Sequence, residues 1–126
     1  MMRISKFALC SVVVGALALS ASVARAQDAG MAKRGKSLFA SRGCNACHTV
    51  GKTGSTAAGP DLAGVTERRS ADWLKRWLKD PSTMIGSDSI VDAMVVVAKN
   101  VKMPNMKLSD SDIGALLAYL AENKKM

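Results

Sequence analysis

The sequence is poor in the residues that bind metals. Its 126 residues include one histidine and three cysteines. After position 26, only Cys44, Cys47 and His48 offer the nitrogen or sulfur ligands that zinc prefers. A closed structural zinc site takes four such ligands. The sequence therefore argues against a structural zinc site.

Long apolar runs and dense basic segments are also missing. The main apolar run extends from Phe7 to Leu19, which is shorter than the about 20 residues of a typical transmembrane helix. Lysine and arginine are spread along the chain, and aromatic residues make up only 4% of it. A nucleic-acid surface usually combines a basic cluster with aromatic side chains. Neither a membrane-spanning helix nor nucleic-acid binding is therefore predicted.

The N-terminal segment has the pattern of a secretory signal peptide. Arg3 and Lys6 precede the apolar run, and Ala24–Ala26 places small residues where a signal peptidase would cut. The pattern predicts a cleaved signal peptide over residues 1–26, a single domain over residues 27–126, and export to the periplasm. An uncleaved anchor is the alternative.

The predicted mature chain is moderately basic. Without residues 1–26 it has 15 Lys and Arg against 10 Asp and Glu, a net charge of +5. A mild positive field favours brief docking on acidic protein surfaces.

The most informative stretch is "GCNACHTV" at residues 43–50. Two thiols three positions apart with an adjacent imidazole fit half of a zinc site, a redox dithiol or a haem attachment motif. The zinc site lacks a ligand, and catalytic dithiols of this spacing lie in a βαβ context that the sequence does not show. A disulfide, the usual fate of exported thiols, is not expected either. We therefore predict that Cys44 and Cys47 each add across one vinyl group of a single haem c, and that His48 binds its iron.

The rest of the chain predicts helices and loops. We expect a helix over residues 29–41 that stops at Gly43, followed by a loop over residues 49–64. Ser70 is a predicted N-cap of a helix that ends at Asp80-Pro81. The last helix is expected to begin with a capping box and a hydrophobic staple, formed by the pairs Ser109/Asp112 and Leu108/Ile113.

A further helix is predicted from Ser89, which would form a capping box with Asp92. The alternative is a buried strand over residues 94–98, because "MVVVA" is rich in β-branched residues. The expected core side of the helix is Ile90, Met94, Val97 and Val101.

The loop "VKMPNMKLSD" at residues 101–110 offers a second iron ligand. No second histidine exists, so methionine is the natural candidate, and a thioether ligand favours reduced iron. Met103 precedes Pro104, which disfavours helical backbone and lets the side chain point from a loop. We predict Met103 as the iron ligand, with Met106 as the alternative. Whichever of the two does not bind the iron would only pack against its neighbours.

Three motifs together resemble the class I monohaem cytochromes c: Cys44–His48, Gly59–Leu62 and Met103-Pro104 before a C-terminal helix. The resemblance covers essentially the whole predicted mature chain. It implies a small all-α cytochrome c fold, with the N- and C-terminal helices crossing and loops that wrap one covalently attached haem. The long segment over residues 81–102 departs from the short bacterial members.

The resemblance also implies roles for individual residues. The Pro60 carbonyl would accept a hydrogen bond from His48, which fixes the ring and tunes its basicity. Arg68 would lie near a haem propionate, and Trp77 could donate there instead. The helix-crossing contact would be formed by Gly35, Phe39, Leu116 and Tyr119.

The predicted function is electron transfer without catalysis. A low-spin haem ligated by His48 and Met103 would carry single electrons between larger redox proteins. These partners would be an oxidase, a reductase or a dehydrogenase. The protein would be a monomer that docks weakly. The alternatives are a dedicated haem subunit of a periplasmic oxidoreductase, or a ligand-binding haem protein with a displaceable methionine. The lysines expected near the docking surface are Lys36, Lys52, Lys99, Lys102 and Lys107.

Overall fold

The computed structural model describes the chain over residues 8–52 and 58–124, with side chains described from residue 25. No strand occurs in these residues, so the prediction of an all-α fold is confirmed. Two 3-10 turns accompany the helices, at Cys44–Ala46 and Pro81–Thr83. The helices are α1 (Ala8–Ser41), α2 (Val65–Arg68), α3 (Ala71–Lys79), α4 (Ser89–Val97) and α5 (Asp110–Glu122).

The chain divides into two compact units, Met1–Gly30 and Met31–Met126. In the first unit the described residues belong to α1. None of the described helices has the length and apolar character needed to cross a membrane. The predicted cleavage after residue 26 falls within α1 and stays a prediction.

In the second unit, the end of α1 crosses α5 at very short range. Gly35 is buried, and a Cβ placed on it would collide with the backbone carbonyl of Ala115 and lie 2.8 Å from the Cβ of Tyr119. One turn later, the rings of Phe39 and Tyr119 are tilted against each other with centroids 5.7 Å apart. The predicted crossing of the first and last helices is confirmed. It requires glycine at position 35, because any side chain there would collide with α5.

The start of α5 is fixed as predicted. The Ser109 hydroxyl accepts a hydrogen bond from the Asp112 backbone N–H at 3.1 Å, and the Asp112 carboxylate accepts one from the Ser109 N–H at 3.4 Å. Asp112 also accepts from Arg34 on α1 at 2.6 Å. Leu108 and Ile113 are buried in one apolar cluster, as a hydrophobic staple requires. The cap therefore ties α5 to α1 as well as starting it.

Helix α3 also matches its prediction. The Ser70 hydroxyl accepts a hydrogen bond from the Trp73 N–H at 3.2 Å, and the helix ends at Lys79, before Asp80-Pro81. Its buried face joins a second apolar cluster, formed by Trp73, Leu74, Met84 and Val91.

Helix α4 confirms the predicted helix from Ser89, including residues 94–97, and corrects the residue that caps it. The N-cap is Asp88, whose carboxylate accepts from the Ile90 and Val91 N–H groups at 3.0 and 3.2 Å. Asp92 instead accepts from the Gly86 N–H at 2.7 Å. The predicted capping box of Ser89 and Asp92 is wrong, because the carboxylate one position earlier takes the free N–H groups.

Of the predicted core side of α4, Met94 is confirmed, since it packs against the second cluster, and the other three residues are wrong. Val91 is fully buried, whereas Val97 is 83% exposed, and Ile90 and Val101 are exposed as well. Helix α4 has apolar side chains all around its axis, so the periodicity of the sequence does not show which face is buried. The short helix α2 was not predicted; it follows Gly64, whose φ of 66° is in the left-handed region.

Candidate haem-binding site

The two motif cysteines lie in a tight turn directly after α1. Gly43 adopts a left-handed conformation with φ 75°, which glycine reaches at no steric cost, and the 3-10 turn Cys44–Ala46 follows. The His48 N–H donates to the Cys44 carbonyl at 2.8 Å. Both cysteines are free thiols, Cys44 half-buried and Cys47 exposed. Burial raises the pKa of the Cys44 thiol, against a smaller lowering by a backbone hydrogen bond.

The imidazole of His48 is oriented by a backbone carbonyl. Its Nδ1 lies 3.0 Å from the Pro60 oxygen, and the structure thus contains the contact that the resemblance implied. A carbonyl oxygen only accepts hydrogen bonds, so Nδ1 must carry the proton. The lone pair of the neutral ring is then on Nε2, where it is available to a metal.

Gly59 lets the chain pass beside this ring. A Cβ on Gly59 would lie 2.6 Å from His48 Nδ1, closer than real Cβ contacts allow, and 3.0 Å from the Cys47 carbonyl oxygen, which is a tight contact. The Gly59 N–H donates to that same oxygen at 2.7 Å. Sequence analysis gave Gly59 no role, although its position directly before Pro60 was a usable indication.

Asp61 connects the residues on both sides of this contact. Its carboxylate accepts hydrogen bonds from the Thr49 hydroxyl at 2.6 Å and from the N–H groups of Ala63, Lys52 and Gly51 at 2.9, 3.0 and 3.2 Å. Desolvation alone would raise the pKa of Asp61, but these hydrogen bonds outweigh it and lower the pKa to about 2. Asp61 is therefore ionised at neutral pH. Asp61 belongs to the Gly59–Leu62 motif, but its hydrogen bonds were not predicted.

An apolar cavity of about 350 Å³ opens beside the cysteine turn. This volume lies within the range of pockets that hold small molecules and cofactors. Cys44, Cys47 and His48 form one part of the wall. Apolar side chains from α1, α3 and α5 and from the intervening loops form much of the rest, among them Phe39, Leu62, Leu74, Leu78, Leu116 and Leu120.

Arg68 and Trp77 both line this cavity. The Arg68 guanidinium donates to the backbone carbonyls of Ala63 at 2.6 Å and Asp61 at 3.4 Å, which holds the loop at the cavity edge. Trp77 stacks on Trp73 with ring centroids 6.1 Å apart. Their roles toward a propionate stay predictions.

Met103 and Met106 are half-buried and both line the cavity. Met106 packs against the buried cluster of Phe39, Leu108, Ile113 and Leu116. Met103 belongs to neither buried cluster of the described chain. The structure thus gives Met106 a packing role, and the assignment of Met103 as ligand stays a prediction.

These groups fit a haem c. The two free thiols supply atoms for thioether bonds, the Nε2 of His48 and a methionine sulfur are suitable iron ligands, and the apolar walls match a macrocycle. Arg68 and Trp77 bring hydrogen-bond donors to the same cavity.

A helical domain with a C-x-x-C-H turn at the edge of an apolar cavity is the architecture of a c-type haem protein. The chain belongs to the cytochrome c family: the Cytochrome c family model matches residues 32–124. The cytochrome c domain of a Pseudomonas putida protein is 43% identical, with a TM-score of 0.63 over 70% of this chain and 85% of that one. The prediction of a class I monohaem cytochrome is confirmed, and the family implies haem-based electron transfer.

Curated relatives include a cytochrome and an extrinsic protein of photosystem II. The chain is 30% identical to cytochrome c-554 of Methylosinus trichosporium, over 86% of this chain and 92% of that protein. It is 35% identical to the photosystem II extrinsic protein V of Cyanidium caldarium over 70% of its own length, and it spans only 60% of that protein.

Proposed function

We propose that this chain is a periplasmic electron carrier, exported by a cleaved signal peptide over residues 1–26. One haem c would be bound to Cys44 and Cys47, and His48 and Met103 would ligate its iron. The observation that carries the proposal is that a histidine with a fixed tautomer and a loop methionine face one cavity. When bound, the haem supplies an iron that gains and loses one electron.

The side chains around the cavity support this function in distinct ways. The Pro60 carbonyl holds the His48 ring in one orientation, so the ligand does not need to rearrange when the charge changes. A thioether from Met103 favours the reduced state. The apolar walls keep water away and hold a flat group in place, and Arg68 would offset the charge of a propionate.

A dedicated haem subunit of a larger oxidoreductase is the second candidate. One relative is named as an extrinsic protein of photosystem II, so chains of this family also serve within assemblies. A ligand-binding haem protein would need Met103 to leave the iron, and the spectra below test this alternative.

Met103→Ala is expected to remove the weak far-red sulfur-to-iron absorption band of the oxidised protein. The variant should have a lower potential and bind carbon monoxide when reduced, because a position on the iron becomes open. Met106→Ala is the matched control from the same loop. It should keep the band, because Met106 packs against the buried cluster that contains Phe39 and Leu116. Absorption spectra of the purified holoproteins measure both effects.

Two outcomes would change the assignment. If Met106→Ala loses the band and Met103→Ala keeps it, Met106 is the ligand and the carrier function remains. If the unmodified reduced protein already binds carbon monoxide readily, a ligand-binding function becomes the better account.

The end of α4 and the loop after it form a suitable docking surface. Val96, Val97 and Val101 are 71%, 83% and 52% exposed, and Lys99 and Lys102 are exposed beside them. Val101 and Lys102 also line the cavity. Clustered exposed apolar side chains usually mark an interaction site. We therefore propose a redox partner with an apolar patch and nearby carboxylates.

Electron exchange with an acidic blue-copper protein is expected to slow as salt rises. Screening shortens the reach of charge from about 30 Å at 0.01 M salt to about 8 Å at 0.15 M, and steering raises association rates about tenfold or more. Stopped-flow rates measure this decrease. The double variant Lys99→Gln, Lys102→Gln should reduce the dependence of the rate on salt. Lys75→Gln, which changes a lysine on α3, should leave that dependence as it is in the unmodified protein. A rate independent of salt in the unmodified protein would contradict docking by charge.

A further inference from the structure

The hydrogen bond from His48 to Pro60 joins two chain segments, residues 47–52 and 58–63. Backbone hydrogen bonds also link them, from the Gly59 N–H to the Cys47 carbonyl at 2.7 Å and from the Leu62 N–H to the Thr49 carbonyl at 2.8 Å. The first of these bonds holds Gly59, the residue before Pro60, whereas neither of them involves Asp61, the residue after it. The orientation of that oxygen depends on what holds the residues next to it.

Asp61 is the residue that follows Pro60, and its carboxylate binds the other segment directly. Thr49, the residue after His48, donates its hydroxyl hydrogen at 2.6 Å. The Lys52 and Gly51 N–H groups donate at 3.0 and 3.2 Å. The carboxylate thus connects the neighbours of both partners in the His48 to Pro60 hydrogen bond.

The acceptors of this cluster cannot easily be replaced. Ionised carboxylates accept stronger hydrogen bonds than neutral groups do, and the two oxygens of Asp61 together take three donors from residues 47–52 and one from Ala63. An asparagine of the same shape would turn an N–H₂ group toward at least one of these donors.

We propose that Asp61 is a positioning residue for the proximal histidine: it holds the Pro60 carbonyl at the Nδ1–H of His48 and thereby sets the orientation and basicity of the axial ligand. The proposal rests on the proposed role of His48 as iron ligand. A firmly bonded Nδ1–H makes the imidazole a stronger donor, which favours oxidised iron. Loosening the bond should therefore raise the potential.

Charge and position can be separated with two variants. Asp61→Asn removes a negative charge and one of the two acceptor oxygens together, and both effects raise the potential. Thr49→Val removes the shortest hydrogen bond of the cluster and leaves the charge of Asp61 in place. A higher potential in Thr49→Val therefore reports on position alone.

Asp88→Asn is the matched control. Asp88 also accepts several hydrogen bonds, from Trp73 Nε1 at 2.9 Å and from the Ile90 and Val91 N–H groups. It lies at the start of α4 beside the other buried cluster. The control variant should lose stability without a change at His48.

The experiment measures solvent exchange of the His48 Nδ1 proton by NMR in the reduced holoproteins, together with the potential. We expect exchange about tenfold faster in Asp61→Asn, several-fold faster in Thr49→Val, and unchanged in Asp88→Asn. Unchanged exchange in both site variants, or equal acceleration in Asp88→Asn, would overturn the proposal. If Asp61→Asn does not fold, the exchange rates of Thr49→Val and Asp88→Asn are compared instead, and faster exchange in Thr49→Val alone supports the proposal. A failure of the proposed function would instead appear in the unmodified protein, as missing haem or missing histidine ligation.

Discussion

Replacing Gly35 with alanine is expected to destabilise the protein by about 3 kcal/mol, at the upper end of the usual cost of over-packing. The new methyl group would collide with the Ala115 carbonyl and press on Tyr119. Backbone atoms cannot turn aside as a side chain can, so α1 and α5 would have to separate. Alanine's higher helix propensity, worth about 1 kcal/mol, offsets only part of this cost. Chemical denaturation of the holoprotein measures the loss.

Gly114→Ala is the matched control, because Gly114 lies on α5 beside the same crossing. A Cβ there would meet only the terminal methyl group of Met31, at 3.4 Å. That flexible side chain can move, so this variant should be neutral or gain up to about 1 kcal/mol. Equal losses in both variants would show that the close approach at Gly35 is not the cause.

Replacing Gly59 with alanine should disturb His48 more than any other single methyl group added nearby. The Cβ would press on the imidazole ring and on the Cys47 carbonyl. We expect a loss of about 2 to 3 kcal/mol together with a displaced ring and a weakened hydrogen bond to Pro60. Denaturation midpoints and the NMR signals of the His48 ring in the holoprotein measure the two effects.

Pro60→Ala provides the comparison. It keeps the backbone carbonyl that accepts from His48 Nδ1, and its main cost is the greater freedom of the unfolded chain, about 1 kcal/mol or less. The His48 signals should therefore change little. If Pro60→Ala shifts them as strongly as Gly59→Ala, the steric explanation is wrong.

The sequence predicted helices where one capping residue dominated. Ser70 is followed by a strongly amphipathic segment and Ser109 by a complete capping box with Asp112, and both helices begin where expected. Around α4 the pattern was ambiguous, because Asp88 and Ser89 are both good caps and nearly every following residue is apolar. The capping residue and the buried face were therefore decided by tertiary contacts of Asp88 and Val91.

The part of the candidate site that could be predicted consists of residues that lie close together in the sequence. Cys44, Cys47 and His48 form one short motif, and their spacing restricts what they can bind. Gly59 and Asp61 act only after two loop segments have come together. Both residues stand in the Gly59–Leu62 motif, but the motif does not show how close Gly59 lies to His48 or which donors Asp61 meets.

The contact between the first and last helices also governs the order in which the chain can fold. Arg34 reaches Ser111 and Asp112 across 77 and 78 positions of sequence, so the entropy of closing a long loop must be overcome before the contact forms. A chain that has not yet been synthesised through α5 cannot complete the cluster around Phe39 and Leu116. Throughout synthesis, Cys44 and Cys47 are thus presented on a chain whose core is still open, and the arrival of the last helix closes it.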